Sequence, residues 1–124
     1  MKLFTIDEAN AMLPDIVPKL EAIRRLYEKI QDASDAAQAA ASASEFGGGM
    51  RGGTRYVRSL YEVGKLTTEI AEMGVEVKDY TQGLIDFPSL RDERVVYLCW
   101  QLGEGDRIEW WHETEAGFAG RKPL

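Results

Sequence analysis

Residues 95–112 read VVYLCWQLGEGDRIEWWH and decide the fold of the C-terminal part of the chain. Runs rich in β-branched and aromatic residues stand at both ends, and the GEGD of residues 103–106 between them is a turn signal. The stretch is therefore predicted to form a β-hairpin. It holds all three tryptophans, the only histidine and the only cysteine of the chain, so it is the place to look for a site.

The length of the turn decides which side chains share a face of this hairpin. A turn of two or four residues would pair Cys99 with Trp110 and Tyr97 with His112. Because side chains alternate along a strand, the thiol and the imidazole would then lie diagonally on one face. The side chains predicted for that face are those of Val95, Tyr97, Cys99, Ile108, Trp110 and His112.

The apolar pattern changes period at Gly74, from helical before it to alternating after it. Residues 84–87 form a short apolar stretch that Pro88 is expected to end. The tail, residues 117–123, is predicted to be coil. Residues 75–124 therefore predict a small, mainly antiparallel sheet with a tail.

The N-terminal part begins with a helix signal, since Thr5 and Glu8 have the spacing of a capping box. This predicts a short helix over residues 6–12. Proline has no N–H to donate, so a second helix is expected to begin near Pro14, with an irregular first turn around Pro18.

Apolar residues at helical spacing continue to residue 30 and recur over residues 54–73. Between them lies an Ala/Ser/Gly stretch of about residues 33–53, which is predicted to be a flexible loop. We therefore expect one α+β domain over residues 1–124: a long antiparallel helical hairpin (1–74) followed by the β segment. The apolar stripes are wider than one partner helix can cover, which predicts a homodimer through the helices.

The composition disfavours polyanions and membranes as partners. The net charge is -6, from 21 acidic and 15 basic residues, and nucleic-acid binding needs the opposite balance. The basic cluster of Arg51, Arg55 and Arg58 around Tyr56 is interpreted as a solvated helix start, although RNA binding is the other reading. No apolar run is long enough for a membrane helix.

The single cysteine favours a reducing compartment, because no intramolecular disulfide can form. Residues 1–5, MKLFT, lack the apolar core of a secretory signal. We therefore expect a cytoplasmic protein.

The reactive residues of the hairpin allow several interpretations. Packing alone explains a buried cysteine, tryptophans and a hydrogen-bonded histidine. A thiol enzyme would use His112 as the base for Cys99, with Asp86 or Asp79 orienting the imidazole.

Two ligand-binding interpretations are also open. A metal site could combine Cys99 and His112 with Glu104 or Glu113, but no ligand spacing is recognisable, so neither a metal nor another cofactor is expected. A pocket for a small anionic or aromatic ligand could use the positive charges of Lys78 and Arg121 beside the tryptophans.

The sequence resembles a small bacterial family named domain of unknown function 2203. The resemblance rests on strings at the start of the chain and in its C-terminal half: FTIDEAN (4–10) with Leu13-Pro14, GVEVKD (74–79), GLIDFP (83–88), YLCWQLGE (97–104), Trp111-His112 and GFAGR (117–121). It implies no activity, but the pattern is densest in the β segment. The polar or reactive positions there form the candidate cluster: Lys78, Asp79, Asp86, Cys99, Glu104, His112 and Arg121.

We therefore expect a non-enzymatic binding or interaction module of the bacterial cytosol, whose partner is a protein or a small ligand. The alternative is a small enzyme or metal-dependent protein that uses Cys99 and His112.

Overall fold

The computed structural model describes residues 1–43 and 53–124. Two helices precede a five-stranded antiparallel sheet, which confirms the predicted α+β class with a helical hairpin. Helix α1 spans Ile6–Ala43 and helix α2 spans Gly53–Glu72. The loop predicted for residues 33–53 is helical as far as Ala43, because alanine has the highest helix propensity. Its residues 44–52, with the glycine run and Arg51, lie outside the described residues.

Helix α1 runs without a break, so the prediction of a new helix at Pro14 is wrong. The capping box is confirmed: the backbone N–H of Thr5 donates to Glu8 Oε1 at 2.9 Å, and that of Glu8 donates to Thr5 Oγ1 at 3.1 Å. Pro14 and Pro18 then lie inside the helix. Burial of apolar side chains around the prolines offsets the lost backbone hydrogen bonds. These flanking core residues are Leu13, Ile16 and Leu20.

The two helices lie antiparallel. The amino group of Lys19, in the first half of α1, is 2.7 Å from a carboxylate oxygen of Glu69, near the end of α2. The backbone then turns at Gly74, which has a φ of 89° and follows the last turn of α2. None of the helices in the described ranges has the length and apolar character that a membrane crossing demands.

The sheet is a meander, with its strands in chain order and all neighbours antiparallel. The strands are β1 (Glu76–Asp79), β2 (Leu84–Arg91), β3 (Arg94–Gln101), β4 (Trp110–Glu113) and β5 (Lys122–Pro123). The prediction of a coil for the tail is wrong, since residues 118–120 form a 3₁₀ turn and β5 pairs with β4. Two residues are too few to show a strand pattern in the sequence.

The predicted register of the last long hairpin is confirmed. Cys99 pairs with Trp110 and Tyr97 pairs with His112. Ile108 was predicted to share their face, and this is wrong. It precedes β4, belongs to the core, and donates its backbone N–H to the side-chain oxygen of Asn10 at 2.7 Å. The connection between β3 and β4 is thus longer than a tight turn, and the side chain of Ile108 near its end points to the core.

Strand β2 continues past Pro88, contrary to the expected end there. The carbonyl of Pro88 accepts the N–H of Phe4 at 2.7 Å, so the ring nitrogen faces that same edge of the strand. The ladder to β3 therefore loses no hydrogen bond to the proline. Beyond it, Asp92 and Glu93 close the β2–β3 hairpin with φ values of 50° and 65°.

One face of the sheet packs on the helices and forms the hydrophobic core. The strand residues buried in that core include Ile85, Phe87, Val96, Leu98, Trp100 and Trp111. Residues at alternate positions point to the opposite face, away from the helices. The candidate site lies on that second face.

Candidate functional site

Three neighbouring strands bring a polar cluster together on the face of the sheet away from the helices. Asp86 lies on β2, Cys99 on β3 and His112 on β4, and each is at most 2 % exposed. One carboxylate oxygen, the sulfur and one imidazole nitrogen all lie within 4.8 Å of one another. The prediction that the thiol and the imidazole share a face is therefore confirmed. We call these three residues the buried triad.

Both ring nitrogens of His112 face hydrogen-bond acceptors. Nε2 lies 3.1 and 3.0 Å from the two carboxylate oxygens of Asp86, and Nδ1 lies 2.7 Å from the carbonyl oxygen of Glu113. A neutral imidazole has one N–H only, and a carbonyl cannot donate. When Nδ1 donates to the carbonyl, Nε2 is the nitrogen that faces the carboxylate.

Cys99 is a thiol and not a thiolate. Burial raises the pKa of Cys99 to about 12, and the negative charge of Asp86 and its hydrogen bond with the thiol add to the increase. Arg121 opposes it in part. Since the thiolate is the nucleophile, this environment disfavours a thiol enzyme. It suits a protonated thiol that donates to a carboxylate.

An ion pair borders the triad. Arg121 donates from Nη2 to both carboxylate oxygens of Glu104, at 2.8 and 2.7 Å, and both charges are close enough to shift the pKa of Cys99. The guanidinium lies between two rings, 4.9 Å from the centroid of Trp110 and 4.7 Å from that of Phe118. Its Nε is buried and has no acceptor among the described residues.

Tyr97 forms the other border of the triad. The centroid of the Tyr97 ring is 5.5 Å from that of the His112 ring. The amino group of Lys78 lies over the Tyr97 ring, 5.1 Å from its centroid. The hydrogen bond to Glu76 is the main cause that raises the pKa of Tyr97 to about 12, followed by burial. Lys78 also bonds Glu76 at 3.3 Å and stays exposed. Lys78 is thus a rim residue.

Asp79 is not part of this arrangement. Its carboxylate accepts hydrogen bonds from Thr81 and Gln82 in the turn after β1, and these bonds lower its pKa. From the sequence, Glu113 was a possible metal ligand. Its carboxylate forms an ion pair with Arg94. Both acidic groups serve local structure.

Three aromatic residues at the site were not named as site residues from the sequence. Tyr97 and Trp110 were predicted to lie on the same face as Cys99. Their alternation with core residues could therefore have identified them as site residues. Phe118 had no such sequence signal, because its position depends on how the tail folds over β4.

The raised pKa values predict a loss of stability at alkaline pH for the metal-free protein. An unfolded chain ionises its thiol near 9.0 and its phenol near 10.0, whereas folded Cys99 and Tyr97 keep their protons to about 12. The unfolded state therefore binds fewer protons over this range, so the free energy of unfolding falls as pH rises. Each group contributes a slope that approaches about 1.4 kcal/mol per pH unit.

Urea unfolding at a series of pH values from neutral to strongly alkaline measures this slope. Cys99→Ser should flatten the first part of the curve, and Tyr97→Phe should flatten the later part. A wild-type curve that stays level through the ionisation range of a free thiol would contradict the assignment.

Comparison with known proteins gives a family and no activity. No curated protein and no solved structure matches the chain. The model of a family described as an uncharacterized conserved protein, DUF2203, matches residues 2–124, which is nearly the whole chain. The resemblance seen in the sequence is thereby confirmed, and the chain belongs to the DUF2203 family.

Proposed function

We propose that the protein binds a zinc ion through the buried triad of Asp86, Cys99 and His112. The observation that carries the proposal is the convergence of three different donor atoms within 4.8 Å, on three adjacent strands. Carboxylate, thiolate and imidazole are the three protein ligand types of zinc. Rigid strands also fix donor positions better than loops do.

The spacing of the nitrogen and oxygen donors is close to what zinc requires. A tetrahedral ion with normal bond lengths holds its nitrogen and oxygen ligands about 3.3 Å apart, and sulfur about 3.6 Å from either. The His112 nitrogen and the Asp86 oxygens are 3.0 to 3.1 Å apart.

The second ring nitrogen supports the same proposal. Metal-binding histidines usually donate their other N–H to a carbonyl or carboxylate, which fixes the tautomer and the ring orientation. The carbonyl of Glu113 accepts from Nδ1 of His112 and leaves Nε2 directed at Asp86. A zinc ion would lie between Nε2 and the carboxylate, and its binding would release the thiol proton of Cys99, because the thiolate is the metal ligand.

The burial of the triad favours a structural or sensory metal over a catalytic one. The three residues are at most 2 % exposed, so a substrate has no open path to the ion. The proposal is thus a non-enzymatic, metal-dependent binding protein in which three protein side chains hold the ion. It departs from the sequence expectation of no metal. We place it in the reducing cytoplasm of a bacterium, where a thiol ligand stays reduced.

Zinc titration of chelator-treated protein, followed by calorimetry and thermal unfolding, tests the proposal. We expect one ion per chain and stabilisation of about 2.7 kcal/mol when free zinc is about 100 times its dissociation constant. Cys99→Ser and Asp86→Asn should abolish both effects. Asp79→Asn is the matched control, since it makes the same chemical change on the same sheet and should bind zinc normally.

Near-ultraviolet circular dichroism checks that each variant folds. The proposal is overturned if the wild type binds no zinc, or if folded Cys99→Ser and Asp86→Asn bind it as tightly as the wild type. Equal loss in Asp79→Asn would also overturn it, because the effect would not come from the triad.

A further inference from the structure

We propose that helix α2 packs antiparallel on α2 of a second copy of the chain. The face in question is the outer side of α2, where Val57, Leu60 and Tyr61 are 63 %, 45 % and 68 % exposed. Their spacing of three and four residues puts them on one side of the helix. We call this side the outer face of α2. The proposal does not depend on zinc binding.

The sequence predicts a homodimer through the helices, and we infer that α2 supplies the contact surface. The apolar stripe of α1 is already covered: Ile16, Leu20 and Ile23 are fully buried. Val63, Leu66 and Ile70 on the inner side of α2 also pack in or against the core. Among the residues that the structure describes, the exposed large apolar side chains of the hairpin therefore lie on α2, apart from Ile6 at the first position of α1.

Small residues continue the outer face towards the end of the helix. Gly64, Thr68 and Ala71 are exposed, and a Cβ atom added to Gly64 would meet nothing within 4 Å. Small side chains let two helix backbones approach closely. In an antiparallel pair that crosses near Lys65, Tyr61 of one copy lies close to Thr68 of the other, so a large residue meets a small one.

The charged residues beside the outer face of α2 favour a second copy of the chain as the partner, packed antiparallel. Arg58, Lys65 and Glu72 stand seven residues apart, in a column beside the outer face. If two copies cross antiparallel near Lys65, Arg58 of each meets Glu72 of the other, twice by symmetry. Parallel packing would set like charges against each other at both positions. The antiparallel direction therefore pairs opposite charges twice and sets only the two Lys65 side chains against each other at the axis, whereas the parallel direction pairs no opposite charges.

Analytical ultracentrifugation from micromolar to millimolar protein tests this contact. The wild type should show a reversible monomer–dimer equilibrium. Tyr61→Glu should raise the dissociation constant at least about tenfold, because symmetry places two charges in the interface. Leu90→Glu is the matched control: Leu90 is 60 % exposed, but it lies on the sheet. It should leave the equilibrium unchanged.

A charge exchange tests the direction of packing. Arg58→Glu should weaken the dimer by setting Glu against Glu72, and adding Glu72→Arg should restore it, because both pairs form again with reversed signs. Far-ultraviolet circular dichroism verifies that the helix persists in each variant. The proposal is overturned by a monomer at all concentrations, by a dimer that Tyr61→Glu leaves intact, by equal disruption from Leu90→Glu, or by failure of the charge exchange.

Discussion

Replacing His112 with Ala should lower the free energy of unfolding of the metal-free protein by about 3–5 kcal/mol. The change removes the imidazole that lies 3.0 Å from the Asp86 carboxylate, and both side chains are 3 % exposed. Asp86 would then be a buried carboxyl group with only the Cys99 thiol as a hydrogen-bond donor. Losing one partner of a buried ionic pair is costly because the other cannot regain its hydration.

A double-mutant cycle measured by urea unfolding separates this effect from lost packing. Asp86→Ala with His112→Ala should cost much less than the sum of the two single changes, since no unpartnered charge remains. Lys78→Ala, at the exposed rim of the same face, should change stability by no more than about 0.5 kcal/mol. Additive costs for Asp86 and His112 would show that the two side chains are not coupled.

Replacing Trp100 with Ala should lower the free energy of unfolding by about 3–5 kcal/mol. Trp100 is 2 % exposed in the hydrophobic core, and its indole N–H donates to the carbonyl of Gly105 at 3.2 Å. The substitution leaves a large cavity between the sheet and α1, and it also frees the loop after β3. Both losses act on the folded state alone.

Denaturant unfolding of a small series measures the two contributions. Trp100→Phe keeps much of the volume and should cost clearly less than Trp100→Ala. Trp110→Ala is the matched control, because Trp110 is half-buried on the other face of the sheet and lies outside the core cluster. If Trp110→Ala destabilised the protein as much as Trp100→Ala, the assignment of the two faces would be wrong.

Local pattern was enough to predict the fold class and the pairing of Cys99 with Trp110. The change of period at Gly74 separates helix from sheet, and the alternation of β3 sorts its faces. Pattern was misleading wherever tertiary contacts compensate for a local penalty. Helix α1 continues through Pro14 because the apolar residues next to that proline are buried. Strand β2 continues through Pro88 because the proline nitrogen faces the edge where the Pro88 carbonyl accepts the N–H of Phe4, and not β3.

The site could be predicted only in part. The sequence put Cys99 and His112 on one face, but the meeting with Asp86 requires the register between β2 and β3. That register is set by the turn of Asp92 and Glu93, both at positive φ and without the glycine that marks such turns. The burial of the triad depends further on the tail, whose short strand leaves no periodic signal.

The central claim is that Asp86, Cys99 and His112 bind one metal ion together, and the absorption spectrum of the protein with Co²⁺ in place of zinc tests it most directly. One equivalent of Co²⁺ should produce a thiolate-to-metal charge-transfer band in the near ultraviolet and visible bands typical of tetrahedral cobalt, and Cys99→Ser should remove the charge-transfer band. A spectrum without that band, or one that Cys99→Ser leaves unchanged, would contradict the account.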